Sequence, residues 1–128
     1  MAEKLEIILP WPPKALNPNA RGHWSKKAKA AEMYRYTINR GRWDLQPLRD
    51  LVAAGGQIHV FLDFCPPNRR ARDDDNIVAA FKAGRDGLAD ALGIDDANFR
   101  THPFLKTDEI VKPLGEVRVV VTGKGPEA

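Results

Sequence analysis

QIHVFLDFCPPNRRARDDDNIVAAFKAGRDGLADALG, residues 57–93, decides how the fold is read. Its first eight residues alternate, with Ile58, Val60, Leu62 and Phe64 on one side and Gln57, His59, Phe61 and Asp63 on the other. That pattern predicts a strand with one buried face. Pro66 to Arg72 reads as a basic loop. Asp75 or Asn76 supplies a helix N-cap and Gly93 a stop, so a helix is expected to run to about Leu92. On that helix Ile77, Phe81, Leu88 and Leu92 share one side, flanked by Ala80, Gly84 and Ala91, and this side is expected to meet the core. The opposite side carries Lys82, Asp86 and Asp90 at i,i+4 spacing, which reads as surface ion pairing of ~0.2–0.5 kcal/mol per pair.

Upstream, Leu5, Ile7 and Leu9 alternate with Lys4, Glu6 and Ile8, predicting a first strand that Pro10, Pro12 and Pro13 stop. Lys14 to His23 reads as a loop, and Ser25 is the expected cap of a helix beginning near Lys26. Pro47 predicts a break before a further helical stretch, Leu48 to Ala54, ended by Gly55-Gly56. Downstream, Phe104–Val111 and Glu116–Thr122 read as strands joined by a turn at residues 112–115. The expected order is β-α-β-α-β-β. It implies one α/β (α+β) domain over residues 1–128, a mixed sheet covered by helices, with 124–128 as a flexible tail.

The 128 residues are 43% hydrophobic and 29% charged, which excludes a disordered or collagen-like chain. No apolar window has the ~18 residues needed to cross a bilayer. The single cysteine, Cys65, reads as a small buried hydrophobe. With no secretory signal pattern at the start, the expected compartment is the cytoplasm. Charge is unevenly placed. Residues 73–96 hold seven acids and two bases, a local balance of −5 in a chain of formal charge +3. Residues 14–49 hold nine bases against two acids, and Arg69, Arg70 and Arg72 abut the acidic run. This arrangement suits a protein that attracts a polyanion and holds a cation where chemistry occurs, though solvated faces on a mildly basic protein would read the same way.

Asp73, Asp74 and Asp75 repel one another, and only one of them can cap the helix. A hard divalent cation such as Mg²⁺ would relieve that repulsion, since Asp73 and Asp75 project on one side if their segment is extended. Asp95 and Asp96, beyond Gly93, form a second acidic pair. The alternative is that the aspartates merely cap and solvate the helix. His23, His59 and His102 show no spacing of a shared metal site, and Trp11, Trp24 and Trp43 read as core or interface residues, or as platforms for splayed bases.

Leu9-Pro10-Trp11-Pro12-Pro13 with Asn17, Arg69-Arg70-Ala71-Arg72 running into Asp73-Asp74-Asp75-Asn76, Lys82, Asp86-Gly87-Leu88 and Gly93-Ile94-Asp95-Asp96 together resemble the RusA family of Holliday junction resolvases. The resemblance spans Leu5 to about Val121. It implies a homodimeric, Mg²⁺-dependent endodeoxyribonuclease, with Mn²⁺ as a substitute, that resolves four-way DNA junctions by paired nicks in recombination and repair. It further implies Asp73, Asp75 and Asp96 as metal ligands, and a lysine four residues after Asp75, where this chain has Ala79. Lys82 fills that role only if one helical turn has been inserted ahead of it. In such an enzyme Arg69, Arg70 and Arg72 would grip phosphates beside the cut, with Lys26, Lys27, Lys29 and Arg35 as a wider footprint. A protein that binds branched DNA without cutting it is the alternative expectation.

Overall fold

The computed structural model describes residues 2–41, 43–93 and 99–124. Its elements in chain order are β1 (Ala2–Pro10), a 3₁₀ turn (Lys14–Leu16), α1 (Trp24–Asn39), α2 (Gln46–Ala53), β2 (Gln57–Cys65), α3 (Asp74–Ala80), α4 (Lys82–Leu92), β3 (Phe99–Leu105) and β4 (Glu116–Lys124). The result is a small α+β domain. The four strands form one mixed sheet in the order β1-β4-β2-β3. Here β4 lies antiparallel between β1 and β2, while β2 and β3 run parallel. A parallel neighbour needs a crossover rather than a turn, and α3 with α4 provides it.

Alternation in the strands sets the layers. Ile7 and Leu9, Ile58, Val60, Leu62 and Phe64, and Val117, Val119 and Val121 are buried on one face, against Tyr34, Ile38, Leu48, Phe81, Leu88 and Leu92 from the helices. The opposite sheet face is uncovered, with Ile8, Phe61 and Phe104 exposed. Two helices approach closely where side chains are absent. A Cβ on Gly87 of α4 would lie 2.7 Å from the Arg35 carbonyl oxygen and 3.0 Å from Ile38 Cβ of α1. Backbone cannot yield as a flexible side chain does, so Gly87→Ala is expected to lose about 1–3 kcal/mol in urea unfolding, through overpacking.

Several sequence expectations need correction. The first long helix starts at Trp24, with His23 as N-cap: its ring Nδ1 accepts from the Ser25 amide at 3.2 Å, so Ser25 lies within the first turn. The expected helix of residues 76–92 is two helices, broken at Phe81 (φ −84°, ψ −3°), and its N-cap is Asp73 rather than Asp75 or Asn76. Gly93 closes it in the left-handed region at φ 69°. Phe104–Val111 is not one arm of a hairpin. Strand pairing with β2 begins at Phe99, which is buried, and residues 106–115 fold back instead over the end of β2, with Lys106 N–H donating to Phe64 O and Val111 N–H to Pro66 O, both at 2.9 Å. The tail beyond residue 124 lies outside the described residues.

Arg35 on α1 donates two hydrogen bonds to Asp90 on α4, at 2.6 and 2.8 Å, and these hold the Asp90 carboxyl below the usual carboxylate range. With the folded value below the unfolded one, the pair stabilises the fold above that range and stops doing so as pH falls through the folded value. Asp90→Asn is therefore expected to lower stability by about 0.5–1 kcal/mol at neutral pH. Its melting temperature should converge with wild type in acid, as pH-dependent thermal scans would show.

Candidate functional site

A large open cleft of about 1150 Å³ lies among the described residues. One wall is the end of β1 and the proline-rich segment after it, from Ile8 to Pro13. The basic loop, the turn at Pro113–Gly115, which leads into β4 beside the end of β1, and Asp73, Asn76 and Ile77 at the start of α3 line the rest of it. Prolines suit such walls because their fixed φ keeps the segment extended without requiring a hydrogen-bonded N–H. The Tyr34 hydroxyl donates to the Pro10 carbonyl and so ties this wall to α1. Burial raises the Tyr34 hydroxyl well above its ordinary pKa, which keeps it a neutral donor.

Asp73 sits where the basic loop becomes α3. Its backbone is extended (φ −91°, ψ 126°), and its Oδ1 accepts from the Asp75 amide at 2.9 Å. Asp74 and Asp75 then fall in the first turn, where the helix dipole favours negative charge. Capping thus accounts for part of the acidic run. Because Asp75 is helical, the expected extended arrangement, with Asp73 and Asp75 projecting to one side, does not form; Asp73 borders the cleft and Asp75 does not. Asp95 and Asp96, the second acidic pair, lie outside the described residues. Among the described residues no three His, Cys, Asp or Glu side chains gather into one ligand set. The donors present suit Mg²⁺ in the way that ion is commonly held, by one or two carboxylates with water and substrate phosphate completing the shell. The second carboxylate oxygen of Asp73 remains for it beside the cap bond.

The basic residues divide into two groups. Arg69 and Arg70 are exposed on the loop, and their guanidinium groups make no hydrogen bond or ion pair among the described residues. Arg72 turns inward: Nη1 donates to Asn68 O and Arg70 O at 3.0 and 2.8 Å, Nη2 to Asn68 Oδ1 at 2.9 Å, and the group lies 5.6 Å from the Trp11 ring centroid. Burial, and then the charge of Arg70, lower its pKa. These bonds shape the loop, and Arg72 also lines the cleft. Arg35 is likewise engaged by Asp90. Lys26 and Lys29 are exposed on α1, and Lys27 is half-buried.

Lys82 does not line the cleft. Its ammonium, on a side chain 75% exposed, lies 3.5 Å from Asp86 Oδ2, and the residue borders a separate small pocket with Arg85 and Thr101. Sequence reasoning also missed a pair that only strand pairing reveals. His59 on β2 and His102 on β3 meet with Nδ1 and Nε2 3.0 Å apart, and Phe61 stacks on His102 at 4.6 Å. Cys65 is buried and free, and burial raises its thiol pKa, as fits a hydrophobe. No described helix is long and apolar enough to cross a membrane.

Compared with known proteins, the chain is 40% identical over 121 residues to an uncharacterized protein of Xylella fastidiosa (strain Temecula1 / ATCC 700964), an alignment covering 91% of this chain and 75% of that one. No family model matches it.

Proposed function

We propose, for a chain that belongs to one family with this uncharacterized Xylella protein, a metal-dependent endodeoxyribonuclease that cuts branched DNA, of the RusA type that the sequence motifs resemble. The observation that carries the reading is the continuity of the basic loop with an aspartate-capped helix start, both of which line one large cleft. Arg69 and Arg70 take phosphates on one side of the cut, and Lys26, Lys27 and Lys29 extend the contact along α1. Asp73 offers a carboxylate oxygen for Mg²⁺ or Mn²⁺, which, when bound, would supply a nucleophilic water and neutralise charge on the scissile phosphate. Asp96 is proposed as a further ligand. Two such sites in a homodimer would match the two-fold symmetry of a four-way junction. A reducing cytoplasm, where the DNA lies, fits the free Cys65.

The ion pair of Lys82 with Asp86, together with Ala79, favours a second reading, a protein that holds branched DNA without cutting it. Synthetic four-way junctions separate the two. The endonuclease reading predicts paired nicks with Mg²⁺ or Mn²⁺, and binding in EDTA whose log affinity falls with log salt by about 0.9 per contacted phosphate. Binding without nicking, while a known resolvase cuts beside it, would leave the second reading standing. Absent or salt-insensitive binding would end both.

A further inference from the structure

Beyond phosphate contact, the cleft has features that a DNA backbone does not use. Its walls are largely apolar, and Leu114, one of the residues lining it, is 77% exposed. Trp11 lines the same cleft. Its ring is braced edge-to-face on buried Phe64 at 6.3 Å and by the pinned guanidinium of Arg72, so it loses little freedom on contact. Two amides border the same space. Asn17 Oδ1 accepts from the Asn19 amide at 2.9 Å, which leaves its NH₂ to donate, and Asn76 makes no side-chain hydrogen bond among the described residues. Ligand pockets of ~300–1,000 Å³ enclose drug-sized molecules, so a cleft of about 1150 Å³ holds a base with its sugar and phosphate.

We infer that this cleft takes an unpaired nucleobase of the DNA, held against Trp11 and Leu114, with Asn17 and Asn76 at its polar edge and its phosphate directed to Arg70. The inference rests on the reading of the protein as a DNA-binding nuclease and deepens it. Flat apolar surfaces inside a basic rim suit a polyanion that also presents planar rings. In a continuous duplex those rings are stacked and hidden, whereas at a branch point they can be exposed. The cleft would therefore help the protein distinguish branched from paired DNA without reading sequence in a groove.

The test places 2-aminopurine, whose fluorescence reports stacking, at each position around the branch of a four-way junction, with EDTA present to prevent cutting. Anisotropy of the same DNA reports binding. Wild type is expected to change the emission at one or two positions beside the branch and to bind the junction in preference to duplex. Leu114→Ser alters an exposed side chain and should leave folding intact. It is expected to reduce the junction-to-duplex affinity ratio about tenfold, as the loss of one buried aliphatic contact implies, and to remove the emission change. Trp11→Ala should do the same, while Trp11→Phe retains part of the effect. A bound junction with unchanged emission at every position, or a Leu114→Ser protein with an unaltered ratio, overturns the inference and leaves the nuclease reading intact. Failure of wild type to bind any DNA overturns both.

Discussion

Asp73→Asn is expected to fold as wild type does, to bind junctions in EDTA at least as tightly, and to cleave them at least ~10²-fold more slowly. Asparagine caps a helix about as well as aspartate, so the bond to the Asp75 amide persists and the melting temperature should be nearly unchanged. What the substitution removes is one negative charge in the lining of the cleft. If that charge holds a cation that activates water and stabilises the scissile phosphate, the loss falls on the chemical step, where a single electrostatic contact commonly contributes 10²–10³ in rate. Single-turnover cleavage, anisotropy and a thermal scan together decide the matter. Cleavage at the wild-type rate would show that Asp73 only caps α3. Asp73→Ala, by contrast, should also lose about 1 kcal/mol of stability.

Phe81→Ala is expected to be the most damaging single change to the fold. Phe81 is 2% exposed, sits at the break between α3 and α4, and packs edge-to-face on Phe64 at 5.4 Å and on Tyr34 at 6.1 Å. It thereby joins the sheet, α1 and the acid-capped helix in one contact. Truncating a buried phenylalanine costs about 3–5 kcal/mol, against a total of roughly 6–19 kcal/mol for a domain of 128 residues. Urea unfolding should show that loss, and the melting temperature should fall by roughly 10–20 °C. A shift under 1 kcal/mol would mean the helix pair is seated by other contacts. Because α3 carries Asp73, residual folded protein should also cleave more slowly.

What the sequence could reveal followed from local periodicity. Ile58, Val60, Leu62 and Phe64 are buried in β2 as their alternation requires, and Ile77, Phe81, Leu88 and Leu92 meet the core as their helical spacing requires. Capping was less legible. His23 takes the cap position because an imidazole nitrogen can accept from an amide, and Asp73 takes it because the chain is still extended one residue before α3. Neither fact is visible in propensity, which ranks serine and every aspartate of the run alike. Long-range pairing was not legible at all. The parallel partnership of β2 with β3, the meeting of His59 with His102, and the capture of Arg35 by Asp90 join residues more than 40 positions apart. The last of these, with the inward turn of Arg72, engages two of the arginines expected to meet phosphate with groups of the protein itself. Lys82 illustrates the same limit. Its i,i+4 spacing to Asp86 predicted the surface pair that forms at 3.5 Å, but the break at Phe81 just ahead of it was not visible.

The proposed chemistry requires that Asp73, at the start of α3, bind a divalent ion. Crystals soaked in Mn²⁺, with anomalous diffraction recorded at the manganese edge, are predicted to show an ion on Asp73 in wild type and none in Asp73→Asn. Wild-type crystals in which Asp73 and Asp75 remain clear of any manganese peak, with or without bound junction DNA, would contradict it.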